Sequence, residues 1–530
     1  MGMRLSFALG LLFLLCGSCD LPQNDSEEQR PPNILFAIAD DASYPHMGAY
    51  GTDWVTTPAF DRVAREGLLF ERAYTPNAKC APSRSCILTG RNSWQLEEAA
   101  NHSPFFPDKF TTFVEVLGRH GYKTGFTGKG WSPGDSGTRN GEPRQLTGPG
   151  YWGQTMEPPT SKMSSVDYAG NFAGFLDERA SDDKSAPFFF WYGSTEPHRE
   201  YEYGSGLRLT NRQLEDIDQV PGMWPDTDTV RTDLLDYALE IDYFDRHLAE
   251  MIAELERRGE LDNTLIVVTS DNGMPFPRIK GQAYELSNHL PLAIMWADGI
   301  ERPGRRVEDF VNFIDFAPTF LDLAGIDWSS SGMEPTVGKS LRPLLSDEEL
   351  EEPFRDHILI GKERHDIGRP EDKGYPIRGI VRGDLLYLHN YETDRWPVGN
   401  PETGYLNTDG SPTKSQLLNL RRNGTDTAGY WQLNFGKRPA EEVYNIEKDP
   451  YCLTNLIDHP NLEAQIASMH EQMTSELRDQ QDPRVVGSGE IFDDYPYAGA
   501  VRGYYERYRS GERPPATWVA PTDYEPQPLD

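Results

Sequence analysis

Three uninterrupted apolar runs, each followed by polar residues, constrain the fold of this chain most strongly. The runs are Asn33–Ala39, Pro187–Tyr192 and Asn263–Thr269. A strand that is buried on both faces of a parallel sheet is apolar at nearly every position, whereas a half-exposed strand alternates between apolar and polar residues. We therefore predict three central strands of a largely parallel sheet.

Helical patterns accompany these strands and define the fold class. The segments Thr111–His120 and Thr232–Arg258 have apolar residues at helical spacing, and alternation of strands with helices predicts an α/β sandwich. The composition changes near residue 375. Beyond that point we predict a hairpin over Gly379–Leu388, a short strand over Glu441–Ile446 and an amphipathic helix over Asn461–Arg478. The predicted organisation is a main domain over 33–375 and a smaller antiparallel-sheet subdomain over 376–530.

The first residues have the pattern of an export signal. Arg4 precedes the apolar segment Leu5–Leu15, which is too short to span a bilayer. Gly17-Ser18-Cys19 follows and resembles a bacterial lipoprotein cleavage box. We predict a signal peptide over 1–19, a polar tether over 20–32, and an exported protein in the periplasm or at the cell surface. We predict a lipid attached at Cys19 as the protein's only contact with the membrane. The alternative is cleavage of the signal peptide without attachment of a lipid.

Charge and cysteine content exclude several classes of protein. The net charge of −33 argues against nucleic acid as a partner, because the chain has no excess of Lys or Arg to neutralise phosphates. Any anion-binding pocket must therefore be a local basic region. Three cysteines lie beyond the export segment, and an odd, sparse set does not form a disulfide framework. They are Cys80, Cys86 and Cys452.

Polar side chains follow each apolar run. Asp40 and Asp41 follow the first run, His198 lies shortly after the second, and Asp271 and Asn272 follow the third. Functional groups of parallel sheets collect beyond the carboxyl ends of the strands, so we expect these residues to share one site. Carboxylate and amide oxygens are ligands that suit Ca²⁺ or Mg²⁺ rather than zinc.

The segment Cys80-Ala81-Pro82-Ser83-Arg84, followed by Leu88-Thr89-Gly90-Arg91, is the most specific motif of the chain. Proline is favoured in the first turn of a helix, so Cys80 is predicted at a helix N-terminus, where the dipole favours anions. Arg84 lies one turn further on, on the same side. A lone cysteine at such a place would ordinarily be a buried structural residue.

This motif resembles the C-x-P-S-R signature of the formylglycine-dependent sulfatases, and the resemblance extends from about Asn33 to Arg478. It implies an alkaline-phosphatase-like fold in which 33–375 is the catalytic domain. It also implies that a formylglycine-generating or anaerobic sulfatase-maturating enzyme oxidises Cys80 to formylglycine (3-oxoalanine). In the family, the hydrated aldehyde attacks sulfur, expels the alcohol or amine, and then releases sulfate.

The resemblance also implies a role for each site residue. The metal, calcium in preference to magnesium, is held by Asp40, Asp41, Cys80, Asp271 and Asn272. Arg84 orients the diol, Lys129 and Lys280 bind the sulfate group, and His198 binds substrate and protonates the leaving group. Imidazole suits that proton transfer near neutral pH.

One position departs from the family pattern. Many members carry a histidine two residues after the lysine that corresponds to Lys129, and this chain has Trp131 there. The departure leaves the collapse of the sulfated intermediate without an assigned residue. His102 and His289 are the candidates to replace it, although each would ordinarily be a surface or packed histidine.

Within the family, the segments Ser270–Pro277 and Glu196–Arg199 most resemble the heparan N-sulfatase branch, which includes bacterial sulfatases of polysaccharides such as ulvan. The implied substrate is a sulfate ester or sulfamate of a sulfated oligosaccharide or polysaccharide, with sugar-binding loops at Ser93–Phe106 and Trp131–Trp152. Two alternatives are a phosphodiesterase or phosphonate monoester hydrolase on the same fold, and a non-catalytic sulfate-binding relative.

Overall fold

The computed structural model describes residues 1, 2, 30–346 and 350–529. Residues 3–29, which make up most of the predicted signal peptide and of the predicted tether, lie outside these residues. Residues 32–530 form one compact unit. Within the described residues, the helices are all too short or too polar to cross a membrane.

The chain contains thirteen strands and fifteen α-helices among its described residues. The strands are β1 (Asn33–Ala39), β2 (Leu68–Tyr74), β3 (Lys123–Gly128), β4 (Thr138–Arg139), β5 (Glu142–Pro143), β6 (Phe188–Gly193), β7 (Thr264–Ser270), β8 (Leu292–Met295), β9 (Arg305–Asn312), β10 (His357–Lys362), β11 (Ile377–Arg382), β12 (Leu385–Asn390) and β13 (Glu441–Asn445). The helices are α1 (Pro58–Glu66), α2 (Cys80–Thr89), α3 (Phe113–Arg119), α4 (Tyr168–Asp183), α5 (Ser205–Leu209), α6 (Asp228–Arg258), α7 (Glu285–Asn288), α8 (Phe316–Leu323), α9 (Arg342–Leu345), α10 (Pro412–Arg422), α11 (Tyr430–Phe435), α12 (Glu463–Asp479), α13 (Pro483–Val486), α14 (Ile491–Asp494) and α15 (Tyr504–Arg509).

The main sheet has seven strands in the order β3-β6-β1-β7-β8-β2-β9. All neighbouring pairs are parallel except those made by β8, which runs antiparallel to β7 and β2. The three apolar runs form β1, β6 and β7 at adjacent positions, which confirms the prediction of a central, mostly parallel sheet. Ala39 pairs with Ser270, so the polar residues after β1 and β7 leave the sheet at the same level.

Helices cover both faces of this sheet. Along β1, Leu35 and Ala37 belong to a core shared with α1, α4 and α6. Phe36 and Ile38 point the other way, into a core shared with α2, α3 and α8. Each fully buried apolar side chain contributes roughly 1.5–3 kcal/mol. Continuous apolarity along β1 is therefore explained by two cores, one on each side.

A second sheet has the order β10-β11-β12-β13 and is antiparallel throughout. The predicted hairpin forms β11 and β12, and the predicted amphipathic helix is α12, whose Met469 and Leu477 pack against this sheet. The division into domains at residues 375 and 376 stays a prediction. The strand β10 precedes that division and pairs with β11.

Candidate active site

Helix α2 begins at Cys80, as the motif predicts, and ends at Thr89, where it is capped by Gly90 in a left-handed conformation (φ 68°). The preceding residue, Lys79, is extended (φ −149°, ψ 144°). Every residue of α2 is buried, so the helix is a core element and not a surface one. The thiol of Cys80 therefore lies at a buried helix N-terminus, 3.9 Å from Oδ1 of Asp41.

The acidic residues that follow β1 and β7 come together beside this thiol. The backbone of Asp41 has a φ of 79°, and its N–H donates to Oδ1 of Asp271 at 3.1 Å. One carboxylate oxygen from each of Asp40, Asp41 and Asp271 lies within 4.8 Å of the others. All three side chains are buried, so this convergence concentrates negative charge away from water.

Two cations, Arg84 and Lys129, bind one side of this cluster of carboxylates. Arg84 donates from Nε to Oδ2 of Asp271 at 2.8 Å and from one Nη to the carbonyl oxygens of Lys129 and Gly130, each at 2.7 Å. Lys129 follows β3 and donates from Nζ to both oxygens of Asp40, at 2.8 and 2.6 Å. Arg84 therefore fixes the backbone of Lys129, and the ammonium group of Lys129 in turn binds Asp40.

A third cation, Lys280, lies on the other side of the cluster. Its Nζ donates to Oδ2 of Asp41 at 2.6 Å and to Oδ2 of Asp409 at 3.0 Å. Asp409 was not predicted, because it lies in a loop about 130 residues further along the chain and its neighbours, Thr408 and Gly410, are ordinary turn residues. The structure alone brings it to the site.

His198 borders the cluster with about a third of its side chain exposed. Its Nδ1 lies 2.6 Å from the carbonyl oxygen of Arg199, which can only accept, so Nδ1 carries a proton. Its Nε2 is 4.0 Å from Oδ2 of Asp41. Nε2 is therefore the ring nitrogen that faces the carboxylate cluster.

The pKa values of the cluster follow from burial opposed by charge. Burial alone would raise the pKa of Asp40, but Lys129, His198 and Arg84 hold it well below its ordinary value. Burial raises the pKa of Asp271 to about 7, against the opposing effect of Arg84. Burial also raises the pKa of the Cys80 thiol to about 12, so the unmodified thiol is a poor nucleophile at neutral pH.

The donor set suits a hard divalent cation. Asn272 donates from Nδ2 to Oδ1 of Asp41 at 2.7 Å, whereas its buried Oδ1 has no hydrogen-bond partner among the described residues. An unpartnered buried carbonyl oxygen beside three converging carboxylates is the arrangement that Ca²⁺ or Mg²⁺ satisfies. The side chains of Asp40, Asp41, Asp271 and Asn272 therefore fit such an ion.

Trp131 and the two histidines considered for the missing role, His102 and His289, are each engaged with other partners. Trp131 is buried behind α2, where its Nε1 donates to Ser85 Oγ at 2.8 Å. The ring of His289 stacks between two tyrosines, and its nitrogens contact Glu285 and the carbonyl oxygen of Glu71. His102 contacts Asp366 at 3.0 Å, and burial lowers its pKa to about 4.

Two cavities open beside the cluster. One, of about 370 Å³, is lined by Lys129 and by the predicted loop Trp131–Trp152. The other, of about 600 Å³, is lined by His198, Asp409 and the C-terminal segment 517–521. Both have the size of small-molecule sites.

Comparisons with known proteins give a family and a shared fold. A family model described as Sulfatase matches residues 32–326. The human N-sulphoglucosamine sulphohydrolase is 27% identical, with 91% of this chain and 95% of that protein covered. An ulvan-active sulfatase of Formosa agariphila is 25% identical, with 87% of this chain and 82% of that protein covered. A solved structure from work on the metabolism of multiple glycosaminoglycans by Bacteroides thetaiotaomicron has a TM-score of 0.65 at 18% identity, covers 88% of this chain and 99% of its own, and shows the shared fold.

Proposed function

The chain belongs to the sulfatase family, and from that premise we propose that it hydrolyses sulfate esters or sulfamates of a sulfated carbohydrate. The relatives include an N-sulphoglucosamine sulphohydrolase and an ulvan-active sulfatase. Both names support a saccharide as the substrate of this chain. The observation that carries the proposal is the position of Cys80, at a buried helix N-terminus facing carboxylates and ammonium groups from three other segments.

Formylglycine at residue 80, once formed by a maturating enzyme, would supply the nucleophile that a thiol with a pKa near 12 cannot supply at neutral pH. Arg84, which is bound by Asp271 and two backbone carbonyl oxygens, would orient that side chain. A guanidinium that is already bound on several sides does not reorganise during the reaction.

Asp40, Asp41, Asp271 and Asn272, together with residue 80, would hold the metal ion. We infer Ca²⁺ in preference to Mg²⁺, because these groups converge on one point and Ca²⁺ accepts many oxygen ligands in flexible geometry. When bound, the ion would offset the negative charge of the carboxylates and of the sulfate group.

The remaining residues bind the sulfate group and move a proton. Lys129 and Lys280 present ammonium groups from opposite sides of the cluster, each anchored by a carboxylate. His198 donates Nδ1–H to a carbonyl oxygen, so its Nε2 is the atom that gives a proton to the departing oxygen or nitrogen. Together they bind an anion and release a poor leaving group.

Export is part of the proposal. The pattern of residues 1–19 supports transport to the periplasm or cell surface, with a lipid anchor at Cys19. A protein that degrades extracellular polysaccharide must meet its substrate there. Fractionation of the native cells, with mass analysis of the mature N-terminus, would distinguish an anchored protein from a freely secreted one.

The first test is release of inorganic sulfate from N- and O-sulfated heparan fragments, ulvan fragments and other algal saccharides by the matured protein. We expect release from at least one of them and none from Cys80→Ala. Phosphate diesters and phosphonate monoesters form the second set of substrates. Faster turnover of that set would overturn the proposal in favour of a phosphorus-ester hydrolase, and an unoxidised Cys80 in the native protein would favour a binding function.

A further inference from the structure

The cavity beside His198 has two walls, built from three distant segments of the chain. One wall is His198–Glu200, which follows β6, and the other consists of Asp409, Gly410 and the C-terminal segment 517–521. The second wall is held firmly. The N–H of Gly410 donates to the carbonyl oxygen of Trp518 at 2.7 Å, and Trp518 Nε1 donates to the carbonyl oxygen of Leu406 at 2.7 Å. The C-terminal segment is thus a fixed part of the cavity.

Asp409 lies where this cavity meets the reacting centre. One oxygen of Asp409, one oxygen of Asp41 and a ring nitrogen of His198 lie within 4.8 Å of one another. Oδ2 of Asp409 accepts from Lys280 at 3.0 Å, whereas Oδ1 accepts from no donor in the described part of the chain. A carboxylate with one oxygen left to accept a hydrogen bond therefore borders the ring of His198.

The cations around the cavity are already engaged. Arg199 forms two hydrogen bonds to Asp233, at 2.7 and 2.9 Å. Lys280 is shared between two carboxylates, and Glu200 at the rim adds a further negative charge, bound by Lys162. Beyond the sulfate-binding position, the cavity therefore offers acceptors rather than cations.

We propose that this cavity holds the sugar ring that carries the scissile sulfate, and that Asp409 selects rings with a hydroxyl or ammonium group next to that sulfate. A ring with a second sulfate or a carboxylate at that place is disfavoured. The inference rests on the proposed function. An O–H or N–H donor gains a charge-assisted hydrogen bond to Oδ1, whereas a second anion is repelled at close range by the carboxylate of Asp409, whose partner Lys280 is already shared with Asp41.

The test uses the full matured protein and pairs of sugar sulfates. Each pair is a monosulfated hexose or hexosamine and the same sugar with a second sulfate on the neighbouring carbon, and the pairs cover the N-, 2-O-, 3-O-, 4-O- and 6-O-positions. For the position that is cleaved, we expect kcat/KM to favour the monosulfated member by about 10- to 100-fold, the range of one charged hydrogen bond.

Asp409→Asn should reduce that ratio to within about threefold of one. The ratio is the informative quantity, because a disturbance transmitted through Lys280 would slow both members equally. Glu202→Gln, which changes a carboxylate bound to Arg208 on the nearby surface, should leave the ratio unchanged. Thr517→Lys, at an exposed position of the rim, should raise kcat/KM for the disulfated member.

An unchanged ratio in Asp409→Asn, or equal turnover of both members by the unaltered protein, would overturn the role of Asp409 while leaving the proposed function intact. Failure to cleave any sulfated saccharide, combined with turnover of phosphonate esters, would overturn the proposed function itself. The two failures are therefore distinguishable.

Discussion

Two buried clusters in this protein each join cationic side chains to carboxylates but are balanced differently. Near the second sheet, Arg378 binds Asp482 at 2.6 Å and Glu363 at 2.7 Å, and Arg484 binds Glu363 at 2.8 Å. Two guanidinium groups therefore face two carboxylates. The cluster around Cys80 sets three cations against four carboxylates: Arg84, Lys129 and Lys280 against Asp40, Asp41, Asp271 and Asp409.

The difference separates a structural network from a functional one. A balanced buried cluster is complete without any ligand, and removal of one partner destabilises the fold. A cluster with excess negative charge and an unpartnered amide oxygen, that of Asn272, is completed by a cation from outside the chain. Mutations in the two clusters should therefore affect different properties.

Cys80→Ala should have the largest effect. We expect turnover of a sulfate ester to fall by about 10⁵-fold or more, because the nucleophile is lost. The melting temperature should change little. Cys86→Ala is the matched control, since Cys86 lies on the same helix but in the hydrophobic core. Sulfate release and thermal denaturation measure the two properties, and retained activity in Cys80→Ala would refute the mechanism.

Asp271→Ala should remove metal and activity together. We expect bound calcium, measured by elemental analysis, to fall from about one per chain to near zero, and turnover to fall by about 10³-fold, as expected for loss of metal-ion catalysis worth several kcal/mol. Asp384→Ala, at a half-exposed carboxylate, is the control. If Asp271→Ala retained its calcium, Asp271 would not be a ligand.

His198→Ala should discriminate between leaving groups. Loss of a general acid should slow hydrolysis of a sugar sulfate by about 10²- to 10⁴-fold, whereas an activated aryl sulfate, which needs no proton, should be slowed far less. The exposed His459 provides the control variant, His459→Ala. Equal losses on both substrates would show that His198 is not the proton donor.

Arg378→Met should affect stability instead of catalysis. Removal of Arg378 leaves Asp482 without its guanidinium partner and Glu363 with Arg484 alone, which should lower the free energy of unfolding by about 3–5 kcal/mol. Activity per folded molecule should be unchanged. Arg382→Met changes a partly exposed arginine on the same strand and should cost less than about 1 kcal/mol. Denaturant titration measures the free energy of unfolding of both variants. A loss of kcat in Arg378→Met without loss of folded protein would contradict the distinction between the two clusters.

Much of the fold could be predicted from local patterns. The sequence predicts the bounds of β1 to the residue, and those of β6, β7 and α12 to within about two residues. These elements are predictable because burial on both faces, or on one face of a helix, produces a recognisable local pattern of apolar residues. The start of α2 at Cys80 was predicted from Pro82. The pairing of β10 with β11 was not predicted, because a strand pair separated by a long loop has no local signal.

For the site, the sequence by itself determined which residues end the central strands and which cysteine begins a helix. Only the tertiary structure decided that Lys280 bridges Asp41 to Asp409, that Trp131 lies in the core behind α2, and that the C-terminal segment 517–521 closes a cavity beside His198. Strand ends and helix starts are set by neighbouring residues. Contacts between distant loops are set by packing of the whole chain, which no local pattern encodes.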